Sequence, residues 1–171
     1  MKLVIKYRPV IPECALKIYD KGEWIDLASS ESVTFGAPAV DENTNKVCFD
    51  VKKVRLGIAM QLPKYFEACI LPRSSLYENK GLTLVNSEGI IDSSYKGNKD
   101  IWKANLKADR DTTLLVGERI LQFRIQLSQK APVWVKLKWL FTSKIEFKAV
   151  SSLEGPNRGG FGSTGGYKEI K

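Results

Sequence analysis

Asp92 is the residue around which chemistry in this chain gathers. It follows the apolar pair Ile90-Ile91 in the stretch VNSEGIIDSSYKG, positions 85–97, and Tyr95 and Gly97 come just after it. The chain has no histidine, so any general base is a carboxylate, a lysine or a tyrosine. Cys14, Cys48 and Cys69 have no C-x-x-C spacing, so zinc sites and a Cys–His nucleophilic pair are excluded and the thiols read as reduced and buried. Taken alone, an aspartate after a strand is most often a turn residue or a solvated carboxylate. A catalytic reading needs partners elsewhere in the chain.

Three other groups are candidates. The apolar run Tyr65–Leu71 ends in Pro72-Arg73-Ser74-Ser75-Leu76, which places a guanidinium, hydroxyls and backbone amides at one sheet end, a combination suited to phosphate oxygens. Arg73 could equally be an ion-pair partner for Asp26, which follows Trp24-Ile25, or for Asp92. Gln122 lies on the face opposite the alternating row Leu121, Phe123, Ile125 and Leu127. Near the C-terminus, Arg158, Phe161, Ser163 and Thr164 put a cation, an aromatic face and two hydroxyls on glycine-rich backbone that can wrap an anion closely.

The elements that must position these groups read as strands. Leu3, Ile5 and Tyr7 alternate with Lys2, Val4 and Lys6 up to Arg8-Pro9. Val54 to Leu62 has an apolar residue at every second position and reads as the clearest strand. Leu82–Val85 and Ile90-Ile91, separated by NSEG, read as a β-hairpin. The alternation of Val133, Val135, Leu137 and Trp139, and of Ile145 and Phe147, predicts further strands with lysine-guarded edges. A short helix fits only between Tyr77 and Gly81. Short strands with turn punctuation, and no sustained 3.6-residue period, predict an all-β sandwich or jelly roll.

At 171 residues the chain holds one sizeable core. Residues 1–150 read as that core and 151–171 as a mobile C-terminal arm, because the latter holds six glycines and few large apolar side chains. Fixing each backbone residue costs about 1–2 kcal/mol, and burying a Phe returns only about 1.5–3 kcal/mol. The net charge of +8 suits a phosphate-bearing partner, nucleotide or nucleic acid, without a basic block that would mark a nucleic-acid arm. No run approaches the roughly 18 apolar residues of a membrane span, and the start MKLVIKYRPVIPE reads as a first strand rather than a secretory signal. A cytoplasmic enzyme with no membrane partner is expected.

Taken in order, these pieces resemble the trimeric deoxyuridine triphosphate nucleotidohydrolase (dUTPase) family. Its five motifs resemble Trp24-Ile25-Asp26-Leu27, Pro72–Leu76, Asn86–Gly97, Gly117-Glu118-Arg119-Ile120-Leu121-Gln122, and Arg158-Gly159-Gly160-Phe161-Gly162-Ser163-Thr164-Gly165. One departure is visible: Glu23-Trp24-Ile25 precede Asp26 where the family commonly has Ala-Gly before an aromatic-Asp-Leu. The resemblance implies a jelly-roll, β-clip-type subunit with a flexible C-terminal arm. It also implies a homotrimer whose three sites each take motifs one, two and four from one subunit, three from a second and five from a third. The activity implied is Mg²⁺-dependent hydrolysis of dUTP to dUMP and pyrophosphate, lowering dUTP and supplying dUMP for thymidylate synthesis in the cytoplasm of a cell or virus-infected cell.

By the same resemblance, Asp92 is the general base for a water attacking the α-phosphorus, and Asp26 has a supporting role. Arg73, Ser74, Ser75, Gln122, Arg158, Ser163 and Thr164 contact phosphates. Asn86, Gly89 and Ile91 meet the uracil, Tyr95 packs under the deoxyribose, and Phe161 stacks over the base. The magnesium ion is held by phosphate oxygens and water, with no firm protein ligand. Two other readings remain open. A dCTP deaminase shares the fold and a PRSS-like arginine motif. A non-catalytic binding or regulatory protein could use the same scaffold and its positive charge. A nucleic-acid partner is not expected.

Overall fold

The computed structural model describes residues 2–19, 22–142 and 144–159. Its strands are β1 (Lys2–Pro9), β2 (Ile25–Ala28), β3 (Val33–Phe35), β4 (Ala39–Asp41), β5 (Lys46–Cys48), β6 (Val51–Arg55), β7 (Ile58–Gln61), β8 (Phe66–Pro72), β9 (Leu82–Leu84), β10 (Gly89–Asp92), β11 (Lys103–Ala108), β12 (Thr112–Leu114), β13 (Arg119–Leu127) and β14 (Lys144–Ala149). The helices are α1 (Leu76–Lys80) and α2 (Val133–Leu140). The expected all-β architecture is what the chain adopts. Among the described residues the strands around the core form sheets in the orders β14-β1-β7, β10-β8-β13-β2 and β6-β11-β9 together with the pair β12-β3, and β4 pairs with β5. Ile5, Leu27, Met60, Trp102 and Phe123 lie fully inside the core.

Local alternation accounts for much of this. In β1, Ile5 and Tyr7 are buried as the period-2 pattern requires. In β13, Leu121, Phe123 and Ile125 face the core while Gln122 lies on the other face. α1 falls where the short helix was expected, and Gly81 ends it in the left-handed conformation at φ +62°.

Two of the expected strands are corrected. The run from Val54 to Leu62 is not one strand. It breaks at Leu56-Gly57 into β6, which pairs with β11, and β7, which pairs with β1. Gly57 has φ +67°, and a Cβ there would stand 2.2 Å from the Cys14 sulfur. Gly57 and Ala59 are also buried, so the pattern is large against small inside a two-sided core rather than apolar against polar.

The run from Val133 is a helix, not a strand. Pro132 stands at its N-cap in extended conformation, and its carbonyl accepts from Val135 and Lys136. Val135 and Trp139, four residues apart, pack against the core, with Trp139 edge-on to Phe66 at 5.3 Å. Over so short a run, period 2 and period 4 coincide. Val133, Trp134, Leu137, Leu140 and Phe141 remain exposed.

Of the arm expected over 151–171, the described part is fastened to the body. Leu153 is only 4% exposed, its N–H donates to the Asn98 Oδ1 at 2.8 Å, and its carbonyl accepts from the Asn98 Nδ2 at 3.0 Å. Gly97 and Gly155 form a parallel bridge. Among the described residues, no helix is long and apolar enough to cross a membrane.

Candidate active site

The sheet β10-β8-β13-β2 brings three of the predicted segments together. β13 lies between β8 and β2, so Gln122 is opposite both Asp26 and Leu71, and Leu121 is opposite Pro72. Asp26 is 15% exposed and shared by two arginines: Arg73 Nε reaches its Oδ1 at 2.9 Å and Arg119 Nη1 its Oδ2 at 3.0 Å. Arg119 also donates to the Tyr19 hydroxyl at 3.0 Å. A register irregularity between Arg119 and Leu121 accompanies this placement, and bulges of that kind re-aim side chains. Asp26 thus fixes Arg73 in orientation, and one carboxylate between two guanidiniums leaves a net positive sheet end. Of the two ion-pair partners open to Arg73, the structure selects Asp26.

Further bonds hold this end. The Arg73 N–H donates to the Ile120 carbonyl at 3.2 Å, and Gln122 Nε2 donates to the Pro72 carbonyl at 3.2 Å. Ser75 is at the N-cap of α1 without a side-chain capping bond. Arg73, Ser74 and Ser87 share the wall of an open cavity of about 340 Å³.

The expected hairpin is corrected in an informative way. β9 pairs with β11 and β10 pairs with β8, so the two arms of the turn open like a V and do not pair with each other. A cavity of about 290 Å³ lies between them, with Leu84 and Asn86 from one arm, Gly89 and Ile91 from the other, and Lys103 and Asn105 from β11. β9 and β10 each stand at the edge of their sheet, so the outer backbone groups of both have no ladder partner. Asn86 braces the turn, donating from Nδ2 to the Glu88 carbonyl at 2.8 Å. The Cys69 thiol donates to Glu88 Oε1 at 2.6 Å. Burial, then the Glu88 hydrogen bond and charge, push its pKa up to about 11.

Asp92 ends β10. Its Oδ1 accepts from the Ser94 N–H at 2.7 Å and from the Ser94 hydroxyl, and its Oδ2 accepts from Arg158 Nη1 at 2.9 Å. Burial pushes its pKa upward, but the Ser94 bonds and the Arg158 guanidinium outweigh that and hold the carboxyl below its usual range. Asp92 is therefore ionised at neutral pH. Tyr95 is buried beside it, donating its hydroxyl to the Ile101 carbonyl at 3.1 Å, and burial followed by the Asp100 charge raises its pKa. Tyr95 is not among the residues lining the V-shaped cavity.

Within one chain, Asp92 and the Arg73 end stand apart. Asp92 is opposite Glu67 near the start of β8, whereas Arg73 follows its last residue. Six residues at about 3.3 Å each put the two about 20 Å apart along the strand. Phe161, Ser163 and Thr164 lie outside the described residues. Sequence reasoning passed over Arg119, read only as part of a turn, and Asp100, a buried carboxylate in the polar stretch NKDIW. The motif order carried a signal for Arg119; nothing in the spacing marked Asp100.

An open cavity of about 290 Å³, an arginine-rich sheet end and a bonded carboxylate on a jelly-roll chain are features suited to a phosphate-bearing small molecule. Comparisons with known proteins sharpen that reading: the dUTPase family model matches residues 20–136. The SPbeta prophage-derived deoxyuridine 5'-triphosphate nucleotidohydrolase YosS of Bacillus subtilis (strain 168) is 38% identical over 167 residues, covering 96% of this chain and 99% of that protein. This chain belongs to the dUTPase family. In fold it is similar to the dUTPase from Streptococcus mutans, with a TM-score of 0.62 at 21% identity, covering 74% of this chain and 98% of that one. It is also similar to a mutant dUTPase from phage phi11 of S. aureus, with a TM-score of 0.58 at 12% identity, covering 75% and 94%; that protein is described as coordinating a structural Mg(II) ion.

Proposed function

We propose that this enzyme hydrolyses dUTP to dUMP and pyrophosphate, with Asp92 as the base. Water adds to the α-phosphorus and gives its proton to Asp92, the bond from the α-phosphorus to the bridging oxygen breaks, and pyrophosphate leaves. The observation that carries this reading is Asp92 at the end of β10, next in the chain to Ile91 of the cavity wall and bonded by Ser94 and Arg158, in a chain of this family. General-base catalysis supplies typically 10²–10⁴-fold, about 3–5 kcal/mol, so most of the acceleration comes from positioning and charge neutralisation. Arg73, Ser74, Ser75 and Gln122 meet the phosphates at one sheet end, with Asp26 orienting Arg73. Arg158, Ser163 and Thr164 add contacts from the arm.

The uracil enters between β9 and β10, where unpaired backbone groups near Asn86, Gly89 and Ile91 meet its polar edge. A mismatched base leaves those groups without partners, which is the strongest kind of discrimination. Tyr95 limits room at the sugar through its buried ring, and Phe161 closes over the base.

Magnesium fits this arrangement as an ion carried by the substrate. Among the described residues, no group of three or more Cys, Asp or Glu side chains is placed to hold a metal, and both Asp26 oxygens are taken by arginines. Phosphate oxygens and water would hold the ion, which supplies charge neutralisation when bound.

A homotrimer with shared sites accounts for the separation of about 20 Å between Asp92 and Arg73 along one chain, because a neighbouring subunit can supply the missing end. Exposed apolar side chains such as Val47, Phe49 and Val51 offer surface for such contacts. Cys14 and Cys69 are buried as expected, whereas Cys48, in the short pair β4-β5, is exposed, and three free thiols suit a reducing cytoplasm.

The test is incubation with each deoxynucleoside triphosphate and Mg²⁺, with pyrophosphate and ammonia both measured and the mass determined by light scattering. Pyrophosphate from dUTP alone, by a species three chains in mass, is the expected result. Ammonia from dCTP would replace the reading with the deaminase one. Turnover by a monomer would remove the shared site.

A further inference from the structure

Tyr19 lies outside the five motifs, in the segment before β2, and is half exposed. Its hydroxyl accepts from Arg119 Nη1 at 3.0 Å, and its ring centroid lies 5.7 Å from the Arg119 guanidinium carbon. The same nitrogen donates to Asp26 Oδ2 at 3.0 Å. That nitrogen carries two hydrogens, one for each acceptor. Tyr19 and Asp26 therefore hold one end of Arg119 from two sides, while the ring lies against its charge.

Asp26 passes this constraint on. Its two oxygens share one plane, so fixing Oδ2 against Arg119 also fixes the direction of Oδ1, which accepts from Arg73 Nε at 2.9 Å. Arg73 Nη1 donates to the Arg119 carbonyl at 3.3 Å. With Nε and Nη1 engaged, Nη2 is left for a phosphate oxygen, and Arg73 stands in the wall of the open cavity that it shares with Ser74. Asp26, Arg73 and Arg119 belong to motifs one, two and four, which the family resemblance assigns to a single subunit. A site shared between subunits keeps these contacts within one chain.

The segment carrying Tyr19 is fastened on either side. Leu16 N–H donates to the Tyr7 hydroxyl at 3.2 Å, and the Trp24 ring centroid lies 5.0 Å from the guanidinium carbon of Arg124 on β13. Trp24 stands where the family commonly has a glycine, and its bulk anchors the segment from which Tyr19 reaches Arg119. A cavity of about 120 Å³, walled by Glu13, Lys17, Tyr19, Asp26 and Arg119, adjoins the pair. Water therefore has room to replace the hydroxyl when it is removed, which keeps the expected loss moderate.

We propose that Tyr19 is a positioning residue for the phosphates: by fixing Arg119 against Asp26 it holds Arg73 at the angle that meets the substrate. The proposal rests on Arg73 being a phosphate ligand.

The test compares Tyr19→Phe and Tyr19→Ala with the wild-type enzyme in kcat and KM for dUTP. It also compares their affinities for a non-hydrolysable dUTP analogue and for deoxyuridine, which has no phosphate. The net value of one hydrogen bond is about 2- to 10-fold, so Tyr19→Phe should weaken analogue binding and lower kcat/KM by that factor. Tyr19→Ala, which also loses the ring, should lose about 10- to 50-fold. Affinity for deoxyuridine should move by less than about twofold in both, because the nucleoside has no phosphate for Arg73 to hold. An equal loss for the analogue and for deoxyuridine overturns the proposal in favour of a general structural role, and so does no loss for either. Where Tyr19→Ala does not fold, Tyr19→Phe, which keeps the ring, carries the test alone.

A cycle with Arg119→Ala gives a second readout. Tyr19 acts through Arg119, so Tyr19→Phe in the Arg119→Ala background should cost less than about twofold. The same loss there as in the wild type overturns the proposal.

Arg73→Ala separates this proposal from the reading beneath it. If Arg73→Ala leaves the analogue affinity unchanged, Arg73 is not a phosphate ligand and the proposal falls with that reading. If Arg73→Ala weakens the analogue and Tyr19→Phe does not, the reading stands and the proposal alone is overturned.

Discussion

Replacing Asp92 with asparagine separates the chemistry of this carboxylate from its structural contacts. The pair it forms with Arg158 is half in water, with side chains 52% and 33% exposed. Such a pair contributes at most about 1 kcal/mol to stability. For a chain of this length that is a fall of no more than about 2–4 °C in the melting midpoint. The loss in kcat should be far larger, about 10²–10⁴-fold or 3–5 kcal/mol, because the proton of the attacking water loses its acceptor. A non-hydrolysable dUTP analogue should bind as well as before or more tightly, since a negative charge near the phosphates is gone. Continuous pyrophosphate release measures the first quantity, thermal unfolding the second and calorimetry the third. Near-normal turnover would remove Asp92 as the base, and a collapse of the fold would make its role structural.

The pH dependence follows with its sign. The Asp92 pKa is depressed in the folded chain, so the acid limb of kcat/KM should lie below the ordinary carboxylate range and move up in Arg158→Ala. The depressed pKa also adds stability that is present above the unfolded value of about 3.9 and is lost as pH falls through the folded one. That contribution is small because the pair is exposed.

Other outcomes test neighbouring parts of the argument. Tyr95→Phe should keep the preference for dUTP over UTP, losing about 0.5–1.5 kcal/mol of stability with its hydrogen bond, whereas Tyr95→Ala should raise relative UTP turnover; an unchanged UTP/dUTP ratio in the alanine variant refutes the sugar gate. Leu153→Ala should cost about 2–4 kcal/mol in urea unfolding, while ending the chain at Gly159 should leave stability intact and abolish turnover; a stable Leu153→Ala protein would show that the tail root is not part of the core. Chelation with EDTA should stop hydrolysis without moving the melting midpoint of the nucleotide-free protein, and a large fall in that midpoint would point to a protein-held structural metal instead.

Much was legible in the sequence because it is local. The inward rows of β1 and β13 follow from side chains alternating across a strand, α1 is closed by a glycine suited to left-handed backbone, and the five ordered motifs mark the family. The same local rule failed where it had two solutions. Val54–Leu62 alternates by size within a two-sided core, and Val133–Trp139 satisfies a strand and a helix equally until Val135 and Trp139 meet the core.

Only the tertiary structure decided which groups meet. Periodicity states which face a residue takes, and says nothing of the strand beside it. Pairing of β9 with β11 and of β10 with β8 opened a cavity where a closed hairpin was expected. Register in β8-β13-β2 gave Asp26 to Arg73 and Arg119, and contact between residues 155–158 and 97–100 accompanies the pairing of Arg158 with Asp92. These contacts join residues dozens of positions apart. They depend on sheet order and register, which are set by how the whole core packs rather than by any one segment.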